Sequence, residues 1–114
     1  MDLKPINIIE LSEKSKQTDK EVFEILEDNN SLKLEFIVSP GSRNGFEKWY
    51  QQDEDEFIYL IQGEAIIEFK DLNQLRLIKG DYFKIPAGLQ HRIAFTSTSP
   101  HCIWLTIFKK NKDE

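Results

Sequence analysis

Residues 80–91 read GDYFKIPAGLQH, a short strand-like segment followed by a turn and a single histidine. Pro86 presets its own backbone angle and lacks an N–H donor, whereas Gly88 tolerates angles that are closed to other residues. Together they predict a stiff turn that fixes the direction of His91. A second segment, EFIYLIQG at residues 56–63, begins with a carboxylate and ends at a glycine. We expect the rest of the chain to hold the two segments facing each other.

Short strand patterns recur on both sides of these segments. Residues 32–38 alternate apolar and polar side chains, which is typical of a strand with one buried face, and Lys33 and Glu35 are expected on its wetter face. Further strands are predicted at residues 57–62, 65–69, 75–78, 82–85, 91–95 and 103–108. Many short strands joined by turns, with no helical pattern between them, predict an all-β barrel or sandwich of antiparallel strands.

The N-terminal region has a different pattern. Residues 6–11 form a short apolar stretch, for which we expect a strand or an extended arm. Thr18 and Glu21 have the spacing of a helix capping box, and apolar residues follow at helical spacing. The sequence therefore predicts one short amphipathic helix at about residues 19–27, ended by the turn-forming residues 28–31.

Length and composition indicate one domain. The chain has 114 residues, of which 39% are hydrophobic and 11% aromatic. A chain of this length buries roughly two thirds of the surface that its unfolded form exposes, which is enough for one core. We expect a single domain over residues 1–114, with a barrel at about 32–108 and an N-terminal arm and short helix within 1–31.

Charge and cysteine content exclude several kinds of partner. The net charge of -5, without a basic cluster, argues against binding to nucleic acid. No apolar run approaches the roughly 20 residues of a membrane span, so no membrane partner is expected, and a cytoplasmic location is predicted. The lone Cys102 lies in an apolar strand pattern and is interpreted as a small buried hydrophobic residue.

The second half of the chain resembles the cupin family of small jelly-roll β-barrels. The family's second motif has the spacing Gly, five residues, Pro, one, Gly, two, His, three, Asn. Gly80, Pro86, Gly88 and His91 match its first four positions, and Phe95 stands in place of the terminal asparagine.

The family's first motif is only partly present. Its glutamate is kept as Glu56, but its two histidines are missing. One alignment places Tyr50 and Gln52 at the histidine positions, and another places Trp49 and Gln51 there. In small single-domain bacterial cupins of this kind a glutamine commonly stands four residues before the glutamate, which favours Tyr50 and Gln52.

The resemblance implies a single-domain, all-β cupin with a jelly-roll barrel and one short N-terminal helix. It further implies a pocket lined by Tyr50, Gln52, Glu56 and His91, and a divalent metal ion such as zinc, iron, manganese or nickel held by Gln52, Glu56 and His91. A small-molecule ligand and a homodimer are the partners implied by the family.

The residues also carry a physical argument of their own. Glu56 has the parity of the apolar residues of its strand, and His91 has the parity of Ile93 and Phe95, so all are expected to face the barrel interior. A carboxylate in that position must be paired, bound to metal or protonated. A Glu56 and His91 pair is therefore a metal half-site, an acid/base couple or a structural ion pair.

Other residues are lesser candidates. His101 matches neither motif and is expected on the rim. Arg43 and Arg92 have the chemistry to clamp a carboxylate. Seven aromatic residues are expected chiefly as core and wall: Trp49, Tyr50, Phe57, Tyr59, Tyr82, Phe83 and Trp104.

Three functional hypotheses follow. The first is a small-molecule-binding module with its pocket around Glu56 and His91. The second is a metal-dependent cupin enzyme of the dioxygenase or isomerase type. The third is a structural or interaction module whose barrel is filled by side chains. Nucleophilic catalysis has little support because no nucleophile turn or phosphate-binding glycine loop is present.

Overall fold

The computed structural model describes residues 3–15, 21–41, 48–71 and 73–110. Its elements are α1 (Ile8–Ser15), β1 (Val22–Asp28), β2 (Leu32–Ser39), β3 (Asp55–Gln62), β4 (Glu64–Phe69), β5 (Gln74–Ile78), β6 (Tyr82–Ile85), β7 (His91–Thr96) and β8 (Cys102–Lys109). The all-β prediction with one short helix is confirmed, although the helix is not where the sequence placed it.

The strands form two antiparallel sheets. One sheet has the order β1-β2-β8-β3-β6 and the other the order β5-β4-β7. Because β8 lies between β2 and β3, the last strand of the chain returns to the middle of the larger sheet, as in a jelly roll. The interior cluster draws on strands of both sheets: Ile58, Leu60, Ala65, Ile67, Phe69, Leu77, Ile85, Cys102 and Trp104. Cys102 is fully buried, as predicted.

The N-terminal helix lies earlier in the chain than predicted. Residues 8–15 form α1, so the expectation of a strand or extended arm at residues 6–11 is wrong. Asn7 caps this helix, because its side-chain oxygen accepts a hydrogen bond of 3.0 Å from the Glu10 N–H. No helix in the described part of the chain is both long and apolar enough to cross a membrane.

The predicted helix at residues 19–27 is also wrong. Residues 22–28 form β1, which pairs antiparallel with β2. A register shift between Ile25 and Glu27 places Val22 and Leu26 against the apolar cluster of Phe36, whereas Ile25 is exposed on the other face. Pairing with β2 provides hydrogen-bond partners for the backbone N–H and C=O groups of β1, which outweighs the helix signal of the capping-box spacing. Thr18 of that capping box lies outside the described residues.

Strand β2 has the predicted alternation, but its faces are exchanged. Phe36 and Val38 are buried on the outer face of the sheet, where Ile8 and Leu11 of α1 pack against their cluster. Glu35, expected on the wetter face, is instead buried and 8% exposed. Because α1 covers the apolar face from outside, the polar face of β2 turns toward the barrel interior.

A bulge changes the orientation of β7. Ile93 lies opposite Ile67 and Phe95 lies opposite Ile66, so Ala94 is an extra residue. Paired residues share a face of the sheet, and Ile67 belongs to the interior cluster. Phe95 therefore lies on the face opposite to Ile93, and the prediction that it faces the interior is wrong.

Candidate functional site

A turn forms before β7, where the sequence predicts it. The Leu89 N–H donates to the Pro86 carbonyl at 3.2 Å, and Gly88 has a φ of 83°. A positive φ at this position of the turn favours glycine. The Ala87 N–H donates to the Asp55 carboxylate at 2.8 Å, which fastens the turn to the start of β3 and lowers the pKa of Asp55.

Two backbone contacts carry residues 50–52 to this turn. Tyr50 and His91 exchange hydrogen bonds, from Tyr50 N to His91 O at 2.7 Å and from His91 N to Tyr50 O at 3.0 Å. The Gly88 N–H donates to the Gln52 carbonyl at 2.8 Å. These bonds place the predicted pocket residues side by side although they are far apart in the sequence.

The side chains of Gln52, Glu56 and His91 form one group. Gln52 Nε2 donates to Glu56 Oε1 at 2.9 Å, and His91 Nε2 lies 3.6 Å from the same oxygen. Glu56 is 8% exposed and His91 5% exposed. The interior orientation predicted for both residues is what the structure shows.

Hydrogen bonding fixes which nitrogen of His91 carries the proton. His91 Nδ1 lies 3.0 Å from the Leu89 carbonyl oxygen. Because a carbonyl only accepts, Nδ1 is the donor and the lone pair of Nε2 faces Glu56. Burial lowers the pKa of His91, and the bond to Leu89 opposes this effect in part. The imidazole is therefore neutral near pH 7.

Burial has the opposite effect on Glu56. It raises the pKa of this carboxyl group to about 7, with a further rise from the nearby Glu35 carboxylate. The hydrogen bond from Gln52 and the charge of Lys33 lower the pKa of Glu56, but by less. The Glu56 carboxyl group can therefore hold a proton near neutral pH, and its oxygen and His91 Nε2, which are too far apart for a direct hydrogen bond, can both accept a donor from a ligand.

Tyr50 stands at the more open side of this group. It is 40% exposed, and its ring centroid lies 6.0 Å from that of His91. Burial raises the pKa of Tyr50, and the carboxylates of Glu21 and Glu56 raise it further. Tyr50 is thus within electrostatic reach of two separate carboxyl groups.

The other alignment of the first motif places its residues elsewhere. Gln51 is exposed, and its side chain donates to the Gly88 carbonyl at 3.1 Å. Trp49 lies between two cations, 4.4 Å from Lys70 Nζ and 4.5 Å from Arg92 Cζ. The geometry therefore favours Tyr50 and Gln52 as the residues at the histidine positions.

Several lesser candidates lie away from the group. The side chain of Arg92 forms an ion pair with Glu68 at 2.5 Å. His101 forms an isolated backbone β-bridge with Thr98 in the loop before β8. Arg43 lies outside the described residues. Tyr59 and Tyr82 are 43% and 60% exposed, so the expectation that they are core or wall of the interior is wrong.

The sequence did not predict the charged residues next to the pocket. The sequence predicts Glu35 on the wetter face of its strand and Glu21 in a helix cap. Both contribute to the electrostatics of the interior, since Glu35 raises the pKa of Glu56 and Glu21 raises that of Tyr50. The only signal in the sequence is a glutamate inside an apolar strand pattern. The pattern alone does not show whether the glutamate or the apolar residues face the barrel interior, because this depends on what packs against the outer face.

The donor atoms of this group bear on whether it can hold a metal ion. Glu56 and His91 are good ligands, but Gln52 is a neutral amide whose nitrogen faces Glu56. Among residues 3–15, 21–41, 48–71 and 73–110, no three His, Cys, Asp or Glu side chains group closely enough to hold a metal ion. The residues present therefore fit a tightly bound metal poorly, since such sites normally use at least three strong ligands.

Fold and site together define a small two-sheet β-barrel with a polar group buried at one end of its interior. The model of the cupin domain matches residues 34–108, and the chain belongs to this family. The resemblance seen in the two sequence motifs is thereby confirmed. No curated protein matches the chain.

Solved structures show the same fold. A provisional mannose-6-phosphate isomerase from Ralstonia eutropha JMP134 is 29% identical, with a TM-score of 0.75, covering 82% of this chain and 88% of that one. A cupin superfamily protein from Desulfitobacterium hafniense DCB-2 is 19% identical, with a TM-score of 0.68 and coverage of 82% and 80%. A structure of Fe(II) HppE is 14% identical, with a TM-score of 0.66 and coverage of 78% and 50%. The last two show a likeness of fold alone.

Proposed function

We propose that this protein is a small-molecule-binding cupin whose pocket is formed by Tyr50, Gln52, Glu56 and His91. One observation carries the proposal: His91 Nε2 and Glu56 Oε1, two groups that accept hydrogen bonds, face each other 3.6 Å apart in a buried place. Gln52 supplies one donor to this Glu56 oxygen, and a ligand that supplies further donors to it and to His91 Nε2 would stabilise the arrangement. The partly exposed Tyr50 beside them supplies an apolar surface for the ligand.

A metal-dependent enzyme of the dioxygenase or isomerase type is the second candidate. The hydrogen bond from His91 Nδ1 to a carbonyl supports it, because metal-binding histidines are commonly oriented in this way. The name of the Ralstonia relative also supports an isomerase. With only one imidazole and one carboxylate as strong ligands, however, metal-free binding agrees better with the residues present, and no reaction step is derived through a metal.

The test compares protein purified without chelator with its variants. We expect clearly sub-stoichiometric zinc, iron, manganese and nickel by elemental analysis. In ligand-observed NMR with a library of small polar metabolites, we expect binding that is lost in His91→Ala and in Glu56→Ala. His101→Ala is the matched control and should bind as the unaltered protein does.

Two results would contradict the proposal in different ways. One stoichiometric metal ion per chain, lost in both pocket variants, would favour the enzyme. Binding that is equally strong in all variants, or no binding at all, would favour a barrel filled by its own side chains.

We further infer that residues 1–114 form one domain with its barrel at about 32–108. We also infer that the protein acts in the cytoplasm as a homodimer. Tyr59 and Tyr82, which are exposed on the outer face of the larger sheet, support the dimer.

A further inference from the structure

Asp55 and Glu56 are neighbours at the start of β3, and their side chains point to opposite faces because successive side chains of a strand alternate. Glu56 is buried and belongs to the candidate pocket. Asp55 faces away from the pocket, yet its carboxylate contacts the turn that carries His91. Asp55 can therefore act on the pocket only through that turn.

Pro86 ends the backbone pairing of β6 with β3 at the point where the turn begins. The last paired residues of the two strands are Glu56 and Ile85. Pro86 has no N–H group that could continue the ladder. The Asp55 carboxylate takes over this task, because it accepts the next free backbone donor, the Ala87 N–H, at 2.8 Å.

The bond to Asp55 involves a charge, whereas the next backbone bond of the turn is neutral. The Gly88 N–H donates to the Gln52 carbonyl at 2.8 Å. The bond from Ala87 lowers the pKa of Asp55, and so does the ammonium group of Lys84, which lies 3.6 Å from the other carboxylate oxygen. Asp55 is therefore ionised near pH 7, and hydrogen bonds to ionised groups are roughly twice as strong as neutral ones.

The same turn presents the carbonyl group that fixes the proton of His91. The Leu89 N–H donates to the Pro86 carbonyl at 3.2 Å, and the Leu89 carbonyl oxygen lies 3.0 Å from His91 Nδ1. The direction of the Leu89 carbonyl depends on how the turn is held. Without this acceptor, the proton of a neutral imidazole can reside on either ring nitrogen.

The position of this proton decides what His91 offers to a ligand. With the proton on Nδ1, Nε2 is an acceptor that lies 3.6 Å from Glu56 Oε1. With the proton on Nε2, the same nitrogen is a donor and accepts no hydrogen bond. A change in the turn would therefore change the hydrogen-bonding character of the pocket, although no side chain of the pocket is replaced.

We propose that Asp55 is a positioning residue of the pocket: its carboxylate holds the Ala87 N–H, which keeps the Leu89 carbonyl against His91 Nδ1 and keeps Nε2 an acceptor. Asp55 thereby favours ligands that present an N–H or O–H donor. The inference rests on the proposed function, because the lone pair of Nε2 selects a ligand only if the pocket binds one.

The test reads the position of the His91 proton without any ligand. In ¹⁵N-labelled protein at pH 8, where the ring is neutral, long-range ¹H–¹⁵N correlation of the imidazole distinguishes the two tautomers. His101→Gln assigns the signals. In Asp55→Ala the share of the Nε2-protonated form should rise from below roughly a tenth to about half. Hydrogen exchange of the Ala87 amide should quicken roughly tenfold or more.

Further variants separate positioning from a general loss of structure. Asp55→Asn keeps an acceptor for the Ala87 N–H and should restore the tautomer of the unaltered protein. Asp81→Ala is the matched control, because the Asp81 carboxylate accepts the Ile78 N–H at 2.8 Å in a different turn. It should lower stability against urea to a similar extent and leave the His91 tautomer unchanged. Asp55→Ser, whose hydroxyl group is one bond shorter, gives a second test should Asp55→Ala fail to fold.

The outcomes distinguish this inference from the proposed function. An unchanged tautomer in Asp55→Ala, together with faster exchange of the Ala87 amide, would overturn the inference and leave the pocket standing. An equal change of tautomer in Asp81→Ala would overturn it as well. A change confined to Asp55→Ala would confirm the positioning role even if the pocket bound no ligand. A proton on His91 Nε2 in the unaltered protein would contradict both proposals.

Discussion

At the scale of single residues, the interior is controlled by carboxyl groups that ionise less readily than usual. The pKa of Glu56 is raised from 4.5 to about 7, and burial is the main cause. The same cause raises the pKa of Glu21. A carboxyl group whose pKa is higher in the folded than in the unfolded state destabilises the fold wherever it is ionised, because folding then costs the loss of its hydration.

The first prediction concerns stability against pH in protein freed of metal by a chelator. Below about pH 4.5 Glu56 is protonated in both states and costs nothing, whereas above about pH 7 its full cost is present. Its contribution should therefore fall by on the order of 3 kcal/mol across this range, since a tenfold change in proton affinity corresponds to about 1.4 kcal/mol.

Urea unfolding at intervals from pH 5 to pH 8 measures this effect. In Glu56→Gln the difference in unfolding free energy from the unaltered protein should grow from pH 5 to about pH 7 and then level off, in favour of the variant. A difference that stays constant with pH would show that Glu56 is ionised throughout and that its burial has little influence on its proton.

At the scale of elements, two glycines at the ends of strands have similar positive φ angles but different surroundings. Gly63 between β3 and β4 has a φ of 96°, and Gly80 between β5 and β6 has a φ of 94°. A Cβ atom at Gly63 would lie 2.7 Å from Cys102 Sγ and 2.9 Å from Cys102 Cα, whereas at Gly80 it would meet nothing within 4 Å. The two positions separate backbone strain from packing.

The second prediction compares alanine at these positions. Gly80→Ala should cost about 1–3 kcal/mol, the range for a side chain forced into an unfavourable backbone region. Gly63→Ala should cost about 1–3 kcal/mol more, because the junction of β3 and β4 must also move away from the backbone of Cys102.

Chemical denaturation of the two variants in parallel gives the comparison. Equal losses of stability would mean that the contact with Cys102 relaxes freely. A larger loss for Gly80→Ala would contradict the described packing of this junction.

At the scale of the whole molecule, the outer face of the larger sheet is only partly covered. Helix α1 packs over the cluster of Phe36, but Tyr59 and Tyr82, farther across the sheet, are 43% and 60% exposed. Phe57 stacks against Tyr82 with ring centroids 6.4 Å apart. Contiguous apolar surface of this kind commonly marks a protein interface, and a second copy of the chain is the partner that the family implies.

The third prediction is that Tyr82→Lys shifts the protein from dimer toward monomer. A lysine in the centre of an apolar interface loses contact area and must bury or displace its charge, which weakens association by roughly tenfold or more. Size-exclusion chromatography with light scattering, over a range of concentrations, measures the change.

Ile78→Lys is the control, because Ile78 is 50% exposed on the smaller sheet. If both variants keep the oligomeric state of the unaltered protein, this face is not the interface. A protein that is monomeric at every concentration would exclude the homodimer itself.

The amino-acid sequence by itself determined the barrel and the centre of the candidate site. Alternating residues specify the strands, and on β3 also the inward face that carries Glu56, while local turn chemistry at Pro86 and Gly88 directs His91. Both signals involve only a few neighbouring residues, so they can be recognised without knowledge of the tertiary contacts.

Only the tertiary structure decided the rest, because it depends on contacts between distant segments. Whether residues 22–28 become helix or strand depends on the free edge of β2, and whether Glu35 faces water or the interior depends on where α1 packs. The bulge at Ala94, which turns Phe95 away from the interior, likewise arises from pairing with β4. The sequence therefore predicted the position of the candidate pocket but not the charged residues next to it.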